Sequence, residues 1–289
     1  MVSKIVNLGL IQMSCVSDVS KNLEKVITNI KQLAKQGAQM ICLQELFSSL
    51  YFCQTEDTRY FDLSEEIPGP TTERLQGLAK ELGVVIVASL FERRTQGVYH
   101  NTTAVIDADG AYLGKYRKMH IPDDPSYHEK FYFTPGDLGY QVFQTKFAKV
   151  GVLICWDQWY PEAARLTALK GAEIIVYPTA IGWLKEDKPT LGQKQYNAWK
   201  GVQVGHAIAN EVFVVSPNRV GQEGKIEFWG GSFVADPFGE VLHQASHEKE
   251  ENFIVTCDLN VIEETRHGWP FFRDRRIDSY GDIVKRFDD

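Results

Sequence analysis

The chain has 289 residues, is 44% hydrophobic and 24% charged, and carries a formal net charge of −7. That composition suits a globular protein able to bury a core without disulfide staples, and its acidic balance argues against a nucleic-acid partner. The five cysteines, Cys15, Cys42, Cys53, Cys155 and Cys257, include no C-x-x-C pair, so neither a disulfide framework nor a zinc ribbon is indicated. No apolar run reaches the roughly 18 residues of a membrane span. The start, MVSKIVNLGLIQM, lacks the apolar stretch of a secretion signal, so a cytoplasmic protein without membrane contact is expected.

In chain order, KIVNLGLIQM (4–13) reads as a strand. Leu23, Val26, Ile27, Ile30, Leu33 and Ala34 recur at helical spacing, which predicts a helix over 20–36 ending before Gly37. MICLQE (40–45) predicts the next strand. TTERLQGLAKELG (71–83) predicts a helix with a threonine N-cap and a terminal glycine, and VVIVASLFER (84–93) a buried strand. Asp109-Gly110 marks a hairpin, and 141–147 with 149–155 reads as another. PEAARLTALKG (161–171) predicts a helix with proline in its first turn, followed by the strand EIIVYPT (173–179). WLKEDKPTLG (183–192) reads as a solvated charged loop. A helix over 193–210, a strand over 212–220, two strands around Asp236-Pro237-Phe238-Gly239 and a strand over 252–259 follow. The tail shows little periodicity. Alternating strands and helices predict large sheets covered by helices. One domain is expected over 1–259, with 260–289 as a C-terminal extension of it that packs on a partner subunit.

The segment GVLICWDQWYPEAAR (151–165) runs a buried strand into a turn crowded with aromatic residues, then into a helix. A cysteine there is most simply a buried strand end. On a sharp strand-to-helix turn, however, Cys155 is presented beside backbone N–H groups, a setting that favours a thiolate and an oxyanion. None of the seven histidines is placed as its base. The alternative is a carboxylate made basic by burial. Glu45 ends an apolar strand, where burying a carboxylate is costly. Lys118 ends LGKYRK, where a strand meets a loop. Singly, these two read as a solvated glutamate and a surface lysine. Together with Cys155 they stand at the C-terminal ends of predicted strands, where ligand sites gather in open α/β sheets.

LQELF, YRKMHIP, YHEKFYFTPGD and ICWDQWYPEAAR resemble the signatures of the nitrilase superfamily of carbon–nitrogen hydrolases. The resemblance extends through YPTAIGW, SPNRVG, SFVADPFGE and RHGWPFFRDRR, nearly the whole chain. It implies an α/β fold, a four-layer α-β-β-α sandwich, that forms homo-oligomers through its helical faces. It implies a triad of Glu45, Lys118 and Cys155, with Glu129 as a second glutamate. In those roles Glu45 takes the thiol proton and Cys155 attacks an amide-like carbon. Lys118 and a backbone N–H after Cys155 hold the oxyanion, and Glu129 orients Lys118 or the substrate nitrogen. No metal or cofactor is required. His120 and His128, the only tempting ligand pair, fit no common zinc spacing.

The expected partner is a small carbamoyl amine. Superfamily members that take carbamoyl amino acids neutralise a carboxylate with arginine near the nucleophile. Here CWDQWYPE offers no basic residue before Arg165, which reads as an ion-pair residue too deep in its helix to serve. Trp156, Asp157 and Trp159 suit an aliphatic or cationic tail, since aromatic faces attract ammonium groups by roughly 0.5–2 kcal/mol. The chain is most similar to the superfamily branch that hydrolyses N-carbamoylputrescine to putrescine, carbon dioxide and ammonia. It departs from that branch after YPTAIG, where Glu186 and Asp187 are the candidates for anchoring a distal ammonium. The alternatives are a β-ureidopropionase or an ω-amidase, both for acidic tails, a true nitrilase, and a catalytically silent binding protein on the same fold.

Overall fold

Period-two alternation builds the molecule. The computed structural model describes residues 4–288. In chain order the elements are β1 (Ile5–Gln12), α1 (Val19–Lys35), β2 (Met40–Cys42), α2 (Pro70–Leu82), β3 (Val85–Thr95), β4 (Val98–Ile106), β5 (Tyr112–Arg117) and α3 (Glu129–Tyr132). Then come β6 (Gln141–Gln144), β7 (Lys149–Val152), α4 (Pro161–Leu169), β8 (Ile174–Val176), β9 (Gly182–Leu184), α5 (Lys188–Asn210) and β10 (Phe213–Ser216). The chain closes with β11 (Val220–Glu223), β12 (Ile226–Trp229), β13 (Phe233–Ala235), β14 (Val241–Gln244), β15 (Glu251–Asp258) and α6 (Asn260–Gly268).

Two six-stranded sheets form, in the orders β15-β1-β2-β3-β4-β5 and β14-β13-β10-β8-β7-β6. Leu8, Leu10, Val85, Val87 and Val105 from the first sheet pack with Val150, Val152, Ile174 and Val214 from the second, all fully buried. The alternate positions Ile11, Ile41, Ile86 and Ile106 face the other way, onto Val26, Ile30 and Leu33 of α1 and Leu75 and Ala79 of α2. On the second sheet α4 and α5 cover the outer face. The result is the α-β-β-α sandwich. Each fully buried aliphatic side chain contributes about 1.5–3 kcal/mol, so the two-sided burial of the central strands dominates the fold's stability.

The parallel strands β1, β2 and β3, and β7, β8 and β10, put their C-terminal ends on one side of the sandwich. At Gly151 of β7, a Cβ would fall 2.2 Å from the Thr167 methyl, so only glycine lets α4 lie this close behind the strand that leads to Cys155.

Several expectations are corrected. The strand over 40–45 ends at Cys42, and Glu45 lies in the turn beyond it. The N-cap of α2 is Gly69, whose N–H donates to the Thr72 hydroxyl, rather than a threonine. Residues 182–184 are a strand and α5 begins at Lys188, so most of the presumed charged loop is ordered. The run 212–220 divides into β10 and β11, and β11, β12 and β9 form a third, small sheet that local pattern did not announce. The tail opens with α6, whose few apolar residues hid its period. Among the described residues Arg165 has no ion-pair partner; its Nη2 donates to Ala209 O at 2.7 Å and its guanidinium lies 5.0 Å from the Phe272 ring. Among the described residues no helix is long and apolar enough to cross a membrane.

Candidate active site

Two turns, one from each large sheet, hang from neighbouring carbonyls. The Cys155 N–H donates to Pro178 O at 2.9 Å, and the Glu45 N–H donates to Thr179 O at 3.3 Å. The segment leaving β8 therefore brings the two side chains to one place. Both turns are conformationally costly. Leu46 has φ +50° and Cys155 has φ +41°. Such left-handed non-glycine residues cost on the order of 1–3 kcal/mol and persist where surrounding structure over-determines them.

Lys118, the first residue after β5, donates to Glu45 Oε1 at 2.8 Å and to Glu129 Oε2 at 2.7 Å. Lys118 and Glu45 are fully buried and Glu129 is 1% exposed. Asn101 of β4 also donates to Glu45 Oε1, at 2.7 Å. Tyr51 donates to Glu129 Oε1 at 2.7 Å. Glu45 Oε2 remains buried with no protein hydrogen-bond partner among the described residues. One carboxylate oxygen is thus pinned and the other is left to accept a proton.

Burial alone would lower the Lys118 ammonium, but Glu129 and Glu45 outweigh it and hold the group well above its ordinary value. Lys118 therefore stays charged and can stabilise a growing negative oxygen. Burial raises the Glu129 carboxyl against the pull of Lys118. Burial and the Glu45 carboxylate raise the Cys155 thiol well above its ordinary range, while Lys118 pulls the other way. That setting favours the thiol over the thiolate, so any attack by this sulfur requires its proton to leave.

Cys155, Trp156, Trp159 and Glu129 line a cleft of about 380 Å³. Asp124 and Asp187 also line it, with Gln195 and Trp229 supplied by α5 and the third sheet. Among the described residues that line it there is no lysine or arginine. Two sequence candidates fall elsewhere. Asp157 is fully buried and faces away from the cleft lining. It accepts from the Tyr116 hydroxyl at 2.7 Å and from Ile154 N and His120 N, and it contacts His120 Nδ1. It holds the cysteine turn rather than a ligand, and His120 stacks on Tyr160 with ring centroids 3.7 Å apart. Glu186 is exposed and does not line the cleft. Glu45, Lys118 and Glu129 are joined by hydrogen bonds, and the carbonyls of Pro178 and Thr179 bring the Cys155 turn beside them.

Sequence reading missed Tyr51, Asn101, Arg219 and Glu223. The signal was present for one of them: Arg219 sits in the apolar run VFVVSPNRV, whereas Asn101 lies in the polar stretch His100-Asn101-Thr102-Thr103. A buried polar residue inside such a run needs a partner. Among the described residues no cluster of metal-ligating side chains occurs.

Residues 7–267 match the carbon–nitrogen hydrolase family. The N-carbamoylputrescine amidase of Solanum lycopersicum is 46% identical over 287 residues, covering 96% of this chain and 94% of that protein. The citrullinase of Francisella tularensis is 42% identical, covering 98% of this chain and 99% of that protein. Among solved structures, a carbon–nitrogen hydrolase from Helicobacter pylori G27 superposes with a TM-score of 0.95 at 46% identity, covering 98% of this chain and 100% of that one. With a match spanning both large sheets and the same four layers, this chain belongs to the carbon–nitrogen hydrolase family, within the nitrilase superfamily.

Proposed function

We propose that the enzyme hydrolyses N-carbamoylputrescine to putrescine, carbon dioxide and ammonia. The observation that carries this reading is the cleft wall: two carboxylates, Asp124 and Asp187, beside Trp156 and Trp159, with no basic residue among the described lining residues. That wall attracts a cationic tail and repels an anionic one. It speaks against the acidic substrates of β-ureidopropionases and ω-amidases. The amidase relatives at 46% identity support the same substrate.

The proposed chemistry uses three side chains, one backbone N–H and a water. Glu45 Oε2 takes the thiol proton as Cys155 Sγ bonds to the carbamoyl carbon. The carbonyl oxygen becomes an oxyanion held by the Lys118 ammonium and the backbone N–H after Cys155. One such donor is worth roughly 3–4 kcal/mol of transition-state stabilisation. The carbon–nitrogen bond then breaks, Glu45 returns the proton to that nitrogen, and ammonia leaves. Glu45 next deprotonates a water, which attacks the thioester carbon and expels the Cys155 sulfur, and Glu45 returns that proton to the sulfur to restore the thiol. The product N-carboxy amine loses carbon dioxide to give the free diamine. Glu129 keeps Lys118 oriented throughout.

A second reading is citrulline hydrolysis, favoured by the 42% identical citrullinase. Citrulline presents the same ureido group but ends in an amino acid, whose carboxylate finds no cation on this wall. Ammonia release from N-carbamoylputrescine, citrulline and N-carbamoyl-β-alanine tests both. The proposal expects N-carbamoylputrescine to lead in kcat/KM. Citrulline in the lead overturns it.

We also propose that residues 4–288 act as one hydrolase unit in the cytoplasm and pair with a second copy through α4, α5 and the tail. Trp269, Ile277, Ile283, Val284 and Phe287 of the tail are exposed, which supports a covered face in the assembly. Light scattering of the purified chain reads the oligomer directly, and a monomer at micromolar concentration refutes the pairing.

A further inference from the structure

Arg219 is fully buried, yet it touches none of the reacting groups through its own charge. Its Nη2 donates to Glu45 O at 3.1 Å and to Leu46 O at 2.8 Å, the two carbonyls of the left-handed turn that carries the Glu45 side chain. Its Nη1 donates to Ser49 O at 2.9 Å and to Glu223 Oε1 at 2.8 Å. The other oxygen of Glu223 accepts the Tyr51 N–H at 2.7 Å. The hydroxyl of Tyr51 reaches Glu129, Glu129 reaches Lys118, and Lys118 reaches Glu45. The contacts close into a ring: Arg219, Glu45, Lys118, Glu129, Tyr51, Glu223 and back to Arg219.

We infer that Arg219, locked to Glu223, is a positioning residue for the reaction, fixing the Glu45 turn and closing a ring that sets Glu45 and Glu129 as one unit. The inference rests on the catalytic reading of Glu45, Lys118 and Cys155 given above. Two physical points separate this role from simple stability. A buried ion pair is weak evidence for stability, because desolvation offsets its attraction. The planar fork of arginine, by contrast, reaches four oxygens on two segments, the 45–49 turn and β11, at fixed angles, which a point charge cannot do. The ring also has a charge balance. Glu45, Glu129 and Glu223 stand against Lys118 and Arg219, and the thiols of Cys155, Cys53 and Cys15 adjoin the same charges. Removing either charge of the Arg219–Glu223 pair changes the field on the proton-transfer carboxylates, in opposite senses.

The test compares Arg219→Lys, Arg219→Met and Glu223→Gln in the full chain, measuring kcat, KM, the pH profile of kcat/KM with N-carbamoylputrescine, and the melting temperature. Arg219→Lys keeps the charge and loses the fork. It is expected to lower kcat about 10- to 100-fold, the cost of a misplacement near 1 Å, with KM and the acid limb of the pH profile nearly unchanged. Arg219→Met removes a positive neighbour, so the acid limb moves to higher pH. Glu223→Gln removes a negative neighbour, so the limb moves to lower pH. A residue that only stabilised the fold would not produce opposite shifts. If Arg219→Met fails to fold, the other two variants carry the comparison. Wild-type kcat in Arg219→Lys together with an unmoved limb in Glu223→Gln overturns the inference. Glu45→Gln and Cys155→Ala serve as controls. Activity retained in either one refutes the catalytic reading itself, whereas two dead controls beside unaffected ring variants refute the positioning role alone.

Discussion

Lys118 meets Glu45 at 2.8 Å with neither side chain exposed to solvent. A buried pair of this kind is strongly coupled, so removing one partner strands the other. Lys118→Ala is expected to lower kcat by roughly 10²–10³-fold as the oxyanion loses its cation. Glu45→Gln keeps the shape and removes the base, and roughly 10²–10⁴-fold is expected from that loss. Steady-state ammonia release measures both, with circular dichroism to show that the fold persists. Wild-type turnover in either variant contradicts the role assigned to it.

The five cysteines are all buried and free, but Cys155 alone among them lines the cleft. Iodoacetamide is therefore expected to modify Cys155 first, abolishing activity at one adduct per chain. Peptide mass mapping identifies the residue. Faster labelling of Cys15, Cys42, Cys53 or Cys257 would contradict the geometry.

Asp187 is the N-cap residue of α5 and lines the cleft, while Lys188 beside it donates to Glu227 at 2.6 Å. Asp187→Asn is expected to raise KM for N-carbamoylputrescine about tenfold or more, the value of one charge-assisted hydrogen bond, with little change in kcat. A neutral carbamoyl alkylamine of similar length should show no such change. Equal effects on both compounds would argue that Asp187 shapes the cleft without reading charge.

Glu92 of β3 is 1% exposed and accepts from Arg117, Lys115 and Thr102. Burial raises its carboxyl, but those hydrogen bonds more than offset this and lower it from an ordinary 4.5 to about 2. The sign follows directly. Between pH 4.5 and about 2 the unfolded chain takes a proton at this position that the folded chain refuses, so stability falls as pH drops through that window. Glu92→Gln is expected to be less stable than the parent at pH 7, with a smaller further loss on acidification. Urea unfolding at pH 7, 5 and 3.5 measures the difference. Parallel acid losses in both proteins would contradict the assignment.

The sequence made the layers legible because the central strands are apolar on both faces and the helices carry a clear stripe, as in Leu23, Val26, Ile30 and Leu33. The candidate triad was legible for a different reason: Glu45, Lys118 and Cys155 each lie within three residues of a strand end. What stayed hidden depends on distant pairing. The third sheet joins Gly182–Leu184 to Ile226–Trp229, some forty residues on, and short strands of that kind carry no period of their own. Asp157 was read as a cleft residue because it neighbours Cys155. A 3₁₀ turn over Cys155–Trp159 rotates it inward to Tyr116 and His120 instead. Arg219 and Glu223 were invisible as a functional pair because their partners, Glu45 and Tyr51, lie more than 170 residues away in the chain.

The carboxylates on the cleft wall have a consequence for turnover. They act on the tail of the molecule, and the tail is the part that hydrolysis leaves intact. In the proposed reaction the released diamine keeps the cation that drew its precursor in, so leaving requires breaking the contact that made arrival favourable. Added 1,4-diaminobutane should accordingly compete with the substrate, relief from that competition should come with Asp187→Asn, and monoamines of equal length ending in a methyl group should compete far less.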